Sequence, residues 1–355
     1  MILDLYILRR FTLWLAISVI ALWLIAIVVD LIESIDIFID HEALIHQILY
    51  YYIFRSPYWI ILTLPTASML AALLSLTGLS RRGEITAMKA AGISLQRILF
   101  PVFGFSLVLS GIGVLFTEFV VPEATYQYNS TRDNIRSYSR SDGSRRQVLL
   151  QDINGQLIYA RSYDHTRQQA HSVLWEHRPH GVIRERATAK QLEWRDRRWT
   201  MVNGNRYLLV NDQLQATTFD TLTLSSLKLT PVDFARQQKK PEEMNFSELQ
   251  SYINRAIANG EDATRHIVDL HLKISFPLTC FAIVLIIAPI AANAQSSNRA
   301  TSFGIGVIVC FLLYSSVKAG QALGWNAIIS PWQGAWLPNM IFITSALIII
   351  RKAHS

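Results

Sequence analysis

Six long apolar runs, three on each side of a polar middle, constrain the fold of this 355-residue chain more than any other feature. Each run is long enough to cross a bilayer core of about 30 Å as an α-helix, which rises about 1.5 Å per residue. A cleaved signal peptide is the competing interpretation of the first run, but acidic residues follow it where a small-residue cleavage site would stand. The sequence therefore predicts six transmembrane helices, at residues 11–29, 59–79, 98–121, 274–292, 303–323 and 332–350.

The polar middle, residues 123–266, holds no run long enough to span a membrane and changes to a period of two. Short alternating segments are separated by clusters of Asn, Asp and Gly that are typical of turns, those at 203–205 among them. We expect an inserted all-β domain there, followed by an amphipathic return segment at 246–258. The predicted divisions are helices one to three at 1–122, the β domain with its return segment at 123–266, and helices four to six at 267–355.

Basic residues near the ends of the runs indicate orientation, since Lys and Arg are enriched on the cytoplasmic side of membrane proteins. They all fall on one side of the six-crossing topology: Arg9, Arg10, Arg81, Arg82, Lys89, Arg97, Arg299, Arg351 and Lys352. We therefore expect both termini and the loop after the second run in the cytoplasm, with the β domain on the opposite side. The arginine-rich β domain would then lie on the side of the membrane opposite to the cytoplasm, so we expect no nucleic acid as its partner.

The loop between the second and third runs, residues 81–94, is too charged for lipid and too short for a domain. Ile85, Met88 and Ala91 recur at roughly helical spacing, which predicts a short amphipathic helix at the membrane surface. Gly92 supplies its C-terminal stop. Two interpretations remain open from these residues alone: the stretch anchors the topology by its basic residues, or it docks a cytoplasmic partner.

Sequence motifs exclude several classes of enzyme. The chain holds no G-x-x-x-x-G-K-[ST] phosphate loop, no His/Cys cluster at zinc-ligand spacing and no G-x-S-x-G elbow. Its two cysteines, Cys280 and Cys310, lie inside apolar runs, where a thiol behaves as a small hydrophobic group. We expect no cofactor and no catalysis in this chain.

Charged residues in or beside the runs suggest where a ligand binds. Lys318 either lines an internal cavity or snorkels to the interface, and Glu118 carries the same ambiguity. Arg132 and Arg136 lie one helical turn apart beyond the third run, at the height where an anionic lipid headgroup would arrive. Two functions are compatible with these residues. One is that of an ion-gradient-driven secondary transporter, in which Lys318 and Glu118 form the relay. The other is that of a membrane-anchored sensor whose β domain binds a ligand.

Taken whole, the chain resembles the lipopolysaccharide export permeases, and the G-type subunit more than the F-type. The most specific local matches are Arg-x-x-Glu-Ile-Thr-Ala-Met-Lys-Ala-Ala-Gly-Ile-Ser at 81–94, the segment from 260–263 to 271–273, and Ala-Trp-Leu-Pro-Asn at 335–339. The resemblance implies an α-helical protein of the bacterial inner membrane, with three plus three transmembrane helices and an inserted periplasmic β-jellyroll domain.

The resemblance also implies a mechanism, that of a permease subunit of an ABC exporter. An F-type and a G-type permease enclose a cavity, a dimer of a cytoplasmic ATPase binds beneath with ATP and Mg, and a periplasmic jellyroll bridge receives the lipopolysaccharide. It implies that a coupling helix at 81–94 docks into the ATPase, with the docking set Glu84, Arg81, Arg82, Met88 and Lys89. It further implies that Arg132 lies near a family arginine that contacts the lipid headgroup.

One departure from the family pattern concerns the headgroup. Related G-type permeases carry basic residues at the outer end of the first helix, where this chain has Asp30, Glu33, Asp36 and Asp40. Either a divalent cation bridges these acids to the lipid phosphates, or the basic role has moved to Arg55, Arg132 and Arg136. The sequence leaves both alternatives open.

Overall fold

The computed structural model describes residues 2–138, 144–152, 156–164, 167–177, 183–210, 213–224, 227, 229–231, 234, 239–258, 260–293 and 299–352. The chain divides into two compact units. The helical unit comprises Met1–Ser139, Pro241–Gln250 and Thr264–Ser355, and the second unit comprises Arg140–Lys240 and Ser251–Ala263.

Within the described residues, six helices are long and apolar enough to cross a membrane, as the sequence predicts. They are α1 (Ile2–Asp40), α2 (Ile45–Arg81), α4 (Leu95–Phe119), α7 (Thr264–Ala292), α8 (Arg299–Trp325) and α9 (Pro331–Lys352). The shorter helices of the same residues are α3 (Glu84–Ala90), α5 (Val121–Tyr138) and α6 (Phe246–Ala258). Because α1 has 39 residues, it is longer than the hydrocarbon core of a bilayer, and its ends extend into the polar region.

The helices α2 and α7 form the buried centre of the helical unit. In the most apolar 18-residue segment of each helix, 67% of the segment is buried in α2 and 72% in α7, against 11% in α1. Ala67 and Leu76 of α2 and Ile283 and Ala288 of α7 are fully buried members of this core. The outer helices leave large apolar side chains exposed, which suits contact with lipid or with a second membrane protein.

Three glycines allow α8 and α9 to approach each other closely. A Cβ atom added to Gly320 would lie 2.4 Å from the carbonyl oxygen of Gly334, and one added to Gly334 would lie 2.7 Å from that of Gly320. Gly324 completes the contact, with its Cα 3.1 Å from a Cβ placed on Gly334. Small residues at helix interfaces in membranes permit this backbone-to-backbone packing. A larger residue at Gly320 or Gly334 would push the two helices apart, and one at Gly324 would meet Val268 of α7, 2.9 Å from the added Cβ atom.

Side chains of neighbouring helices satisfy backbone carbonyl groups inside the core. Tyr314 of α8 donates its hydroxyl to the carbonyl oxygen of Leu62 at 2.6 Å, in the turn of α2 before Pro65. The buried Asn339 of α9 donates to the carbonyl oxygen of Ser275 in α7, also at 2.6 Å. These hydrogen bonds join α8 to α2 and α9 to α7 inside the apolar core.

The second unit holds one antiparallel sheet of six strands in the part of it that is described. The strands are β1 (Ser144–Gln151), β2 (Gln156–Asp164), β3 (Gln169–His177), β4 (Glu185–Arg195), β5 (Arg198–Val210) and β6 (Gln213–Leu224). Each strand pairs with the next along the chain, so that the spatial order equals the sequence order. Tyr163, Trp199 and Phe234 form a buried aromatic core, and burial raises the pKa of the Tyr163 hydroxyl. The predicted insertion of an all-β domain is confirmed.

The strands occupy less of the insertion than the predicted range 123–266, because α5 fills its first part. The helix α4 ends at Phe119 and α5 begins at Val121, so that Pro122 lies in the first turn of a new helix. Proline is tolerated there because the first amide groups of a helix have no partner within the helix. The helix α5 packs against α2 and belongs to the helical unit.

The turn predicted at 203–205 is wrong, because β5 runs through these residues without interruption. Asn203 adopts a left-handed φ of 53°, and Gly204 still pairs with Ala189 of β4. A Cβ on Gly204 would lie 2.5 Å from the ring of Phe219 in β6, so this glycine marks close packing on the sheet. The sequence also predicts turns at 152–155 and 211–212, and residues 153–155 and 211–212 lie outside the described part of the chain.

Candidate functional site

The helix α3 is seven residues long and lies between two glycines with left-handed backbone angles. Gly83 has a φ of 73° and Gly92 a φ of 85°, values that residues with side chains rarely adopt. The N–H of Gly92 donates to the carbonyl of Lys89 at 3.0 Å, and the N–H of Ile93 donates to that of Met88 at 3.1 Å. This pair of bonds is a Schellman motif, so Gly92 ends the helix as the sequence predicts.

One face of α3 is buried and the other is exposed. Ile85 is 2% exposed, and Met88 is half-buried against the core of the helical unit. Thr86, Ala87 and Ala90 are exposed. The helix is therefore amphipathic, and its exposed face is a flat surface of small side chains. A short helix of this kind fits into a groove on a partner protein.

Basic residues surround the exposed face of α3. Arg81 and Arg82, at the end of α2, are exposed to solvent. Lys89 is also exposed, and its Nζ donates to Oδ1 of Asn293, at the end of α7, at 3.2 Å. The surface formed by residues 81–90, which we call the α3 surface, thus presents positive charge around a small apolar centre.

The carboxylate of Glu84, in the first turn of α3, contacts α1. The hydroxyl of Tyr6 donates to Oε2 of Glu84 at 2.8 Å. Oε1 lies 3.7 Å from a guanidinium nitrogen of Arg10 and 4.0 Å from one of Arg82. Arg10 also stacks on the ring of Tyr6, 4.8 Å from its centroid. Because 26% of the Glu84 side chain is exposed, a partner can still reach a carboxylate that is tied to α1.

A second polar contact joins the same end of α1 to α4. Arg97 donates to both carboxylate oxygens of Asp4, at 2.6 and 3.0 Å. This bidentate geometry is the strongest form of an Arg–carboxylate pair, although its exposure to solvent reduces its contribution. The cytoplasmic end of α1, as the sequence predicts its orientation, therefore has one polar contact to α3 and another to α4.

At the opposite end of the long helices, the guanidinium of Arg55 lies among three aromatic rings. Arg55 is 26 positions before Arg81 in α2, a distance of roughly 40 Å along the helix. Its Cζ atom is 4.5 Å from the ring centroid of Tyr128 in α5, 4.7 Å from that of Tyr58 and 5.7 Å from that of Trp59. These cation–π contacts hold the guanidinium in one place.

Two guanidinium groups at this end each have a buried nitrogen atom without a partner. Among the described residues, no acceptor lies within hydrogen-bonding distance of Nε of Arg55 or Nε of Arg132. Arg132 is one helical turn beyond Tyr128 on α5, whose ring contacts Arg55. We call these residues, with the rings around Arg55, the arginine cluster. The side chain of Arg136, which the sequence predicts as a further headgroup ligand, lies outside the described part of the structure.

The acidic residues of α1 near this end are mostly exposed. Glu33, Asp36 and Asp40 are exposed, and Asp30 is half-buried. The described residues contain no group of three or more His, Cys, Asp or Glu side chains arranged to hold a metal ion. The cation bridge and the shift of the basic role to arginine both stay predictions.

Glu118 and Lys318 have separate partners. Both carboxylate oxygens of Glu118 accept the backbone N–H of Phe246, at 3.1 and 2.8 Å, and thereby cap the N-terminus of α6. Lys318 lies on the exposed side of α8, away from the core of the helical unit, and donates to Gln321 at 3.0 Å. These contacts give Glu118 a structural role and do not join the two residues into a proton or ion relay.

Sequence reasoning missed three residues of the two sites. Tyr6 and Arg10 were not predicted as partners of Glu84, and Tyr128 was not predicted to contact Arg55. The spacing of Tyr6 and Arg10 places both on one helix face, but no rule of spacing joins them to a residue 78 positions away. These contacts depend on how the helices pack, which the sequence does not reveal.

The arrangement defines a class of protein: a multi-pass membrane protein with a β domain inserted between two sets of three helices and a short amphipathic helix after its second span. The family described as lipopolysaccharide export system permease LptF/LptG matches residues 5–352, so the chain belongs to this family.

Curated relatives agree with the G-type subunit that the sequence predicts. Lipopolysaccharide export system permease protein LptG of Haemophilus influenzae is 23% identical over 284 residues, which cover 79% of this chain and 78% of the relative. The protein of the same name from Escherichia coli K12 is 23% identical over 299 residues, 81% of each chain. The family and the helices together make this chain a transport subunit of the membrane.

Proposed function

We propose that this chain is the G-type permease of an ABC exporter that extracts lipopolysaccharide from the bacterial inner membrane and passes it to a periplasmic jellyroll bridge. The family match over residues 5–352 is the observation that carries the proposal. The partner within the membrane is a paralogous F-type permease. The distribution of basic residues supports a cytoplasmic location of both termini and of the α3 surface, and a periplasmic location of the β domain.

The energy for export comes from a cytoplasmic ATPase dimer that docks on the α3 surface and binds ATP and Mg itself. Two features of α3 support this assignment. Its exposed face carries only small side chains between Lys89 and Arg82, which leaves room for a groove to close over the helix. The Glu84 side chain is 26% exposed, and its Oε1 lies 3.7 Å from Arg10, beyond hydrogen-bonding distance, so this oxygen retains the capacity to accept a hydrogen bond.

The lipid headgroup binds at the arginine cluster. A buried N–H group without an acceptor costs about 1–3 kcal/mol, and a phosphate oxygen would satisfy Nε of Arg55 or Nε of Arg132. Arginine is well suited to this role because its planar guanidinium can bind two phosphate oxygens at once. The rings around Arg55 hold it in position before the ligand arrives.

Reconstitution tests the proposal directly. The chain, an F-type permease and the ATPase from the same bacterium are placed in vesicles that contain lipopolysaccharide, and its transfer to a soluble jellyroll acceptor is measured. We expect transfer that requires both ATP and the ATPase, while a zwitterionic phospholipid in the same vesicles is not transferred.

Two results would replace the proposal. Transfer that follows a proton or sodium gradient and continues without the ATPase identifies a secondary transporter. ATP-dependent transfer of the phospholipid but not of lipopolysaccharide retains the exporter and changes its cargo.

A further inference from the structure

The Tyr6 hydroxyl connects α3 to the least buried of the membrane helices. Only 11% of the apolar window of α1 is buried, so packing restrains this helix less than it restrains α2 or α7. Its polar attachments near the α3 end include the hydrogen bond from Tyr6 to Glu84 and the ion pair between Asp4 and Arg97. Close to these contacts, Ile7 and Phe11 of α1 are fully buried in the core of the helical unit, so a change at either contact also acts on the packing of this end of α1.

The two oxygens of the Glu84 carboxylate differ in their surroundings. Oε2 accepts the Tyr6 hydroxyl at 2.8 Å, which is a full hydrogen bond. Oε1 lies 3.7 and 4.0 Å from the nearest guanidinium nitrogens, so these cations attract it without occupying it. A donor from a partner protein can bind Oε1 while Tyr6 retains Oε2, and the carboxylate then joins the partner to α1.

The short helix α3 is suited to move as one piece. Left-handed glycines bound it on both sides, and α3 is only seven residues long. Lys89 connects its far end to Asn293 of α7, and Glu84 connects its near end to α1. A displacement of α3 thus reaches α1 through the Tyr6 hydroxyl and the Arg10 ion pair, and it reaches α7 through the Lys89 ammonium group.

We infer that Tyr6 is a positioning residue that transmits movement of α3, driven by the docked ATPase, to α1 through its hydrogen bond to Oε2 of Glu84. This inference rests on the proposed function, because it requires an ATPase at α3. The coupling runs through one pair of atoms: the hydroxyl oxygen of Tyr6 and Oε2 of Glu84 link ATP hydrolysis to the first membrane helix.

The variant Tyr6→Phe removes this hydroxyl and retains the ring on which Arg10 stacks. Asp4→Asn is the matched control, because it weakens a contact at the same end of α1 that leads to α4 and not to α3. A purely structural role of Tyr6 predicts that both variants lower the midpoint of thermal unfolding and affect transport alike. A transmitting role predicts that only Tyr6→Phe separates hydrolysis from transport.

The first measurement is the amount of lipopolysaccharide transferred per ATP hydrolysed by the reconstituted complex. For Tyr6→Phe we expect this ratio to fall about tenfold, as for the loss of a hydrogen bond to a charged group, while the amount of ATPase that co-purifies stays within about twofold. For Asp4→Asn we expect the ratio of the parent. The inference is overturned if Tyr6→Phe keeps the parental ratio, if Asp4→Asn lowers it equally, or if Tyr6→Phe loses the ATPase.

A second measurement does not depend on the cargo. The two native cysteines are buried, so cysteines placed at the exposed positions Ile32 on α1 and Ile328 after α8 can be spin-labelled selectively. In the parent complex we expect the distance between the labels to change when a non-hydrolysable ATP analogue binds. Tyr6→Phe should reduce that change by at least about half, and Asp4→Asn should retain it.

These two measurements separate failure of the inference from failure of the proposed function. If the parent binds the ATPase but does not transfer lipopolysaccharide, the proposed cargo is wrong, and the label distances still decide the role of Tyr6. If the label distance in the parent does not respond to nucleotide, the inference is wrong while the exporter assignment stands. If no ATPase binds the parent, both are wrong.

Discussion

The charged groups at the two ends of the long helices differ in whether they have hydrogen-bond partners within the chain. At the α3 end, the carboxylates of Glu84 and Asp4 have hydrogen-bond partners within the chain. At the other end, Nε of Arg55 and Nε of Arg132 are buried without one among the described residues. Because satisfied groups fix geometry and unsatisfied buried groups favour a ligand, the comparison supports the proposals of force transmission at the first end and ligand binding at the second.

The largest effect should come from removing both cations of the arginine cluster. The double variant Arg55→Ala with Arg132→Ala eliminates two charge-assisted contacts to the headgroup, each worth about 1.5–3 kcal/mol. We expect ATP-dependent transfer of lipopolysaccharide to fall about a hundredfold or more, with ATPase binding unchanged. Transfer assays in vesicles measure this loss.

Arg167→Ala is the matched control for this prediction, because it removes an arginine whose side chain is 77% exposed in the second unit. It should leave transfer at the level of the parent. Equal losses in the double variant and the control would show that general positive charge, and not the arginine cluster, determines transfer.

A smaller effect, at the α3 end, should follow from Glu84→Ala. This change removes an acceptor for the ATPase and the attachment of α3 to α1, so we expect ATPase affinity to weaken by about 2 kcal/mol, or roughly thirtyfold. Co-purification at several salt concentrations measures it. Glu33→Ala, an exposed acid at the other end of α1, should bind the ATPase normally. A full complement of ATPase on the Glu84→Ala protein, with normal export, would remove Glu84 from the docking surface.

The smallest effect should separate the ring of Tyr128 from its hydroxyl group. The ring contacts Arg55, whereas the hydroxyl lies 3.2 Å from that of Tyr51. Tyr128→Leu removes the cation–π contact and should weaken lipopolysaccharide binding about threefold to fivefold, while Tyr128→Phe keeps the ring and should bind within about twofold of the parent. If both variants bind equally weakly, the hydroxyl and not the ring positions the cluster.

Local features of this fold could be predicted from the sequence because their causes are local. The apolar runs give the long helices, and Gly92 ends α3 through a bond pattern that involves only its own turn. The helix α5 was not predicted, because its residues are polar and Pro122, which lies in its first turn, directly follows the third apolar run. Gly204 and Asn203 resemble a turn in sequence, yet the neighbouring strands hold them in β5.

The candidate sites could be predicted only in part, for a related reason. Glu84, Arg55 and Arg132 were predicted from charge, height and family resemblance, and the docking and headgroup roles of these residues remain predictions. The partners that orient two of them were not predicted, because Tyr6 is 78 positions from Glu84 and Tyr128 is 73 positions from Arg55. Such contacts follow from the packing of α1 and α5 on their neighbours, and a single sequence does not contain them.

Equilibrium binding of lipopolysaccharide to the purified permease pair, without the ATPase, tests the central comparison most directly. The lipid is offered with its headgroup phosphates and after their enzymatic removal, to the parent and to the Arg55→Ala, Arg132→Ala double variant. We predict that the parent binds the phosphorylated lipid at least about tenfold more tightly than the dephosphorylated one, and that the double variant binds both within about twofold. The same preference in parent and double variant would contradict the assignment of ligand binding to the arginine cluster.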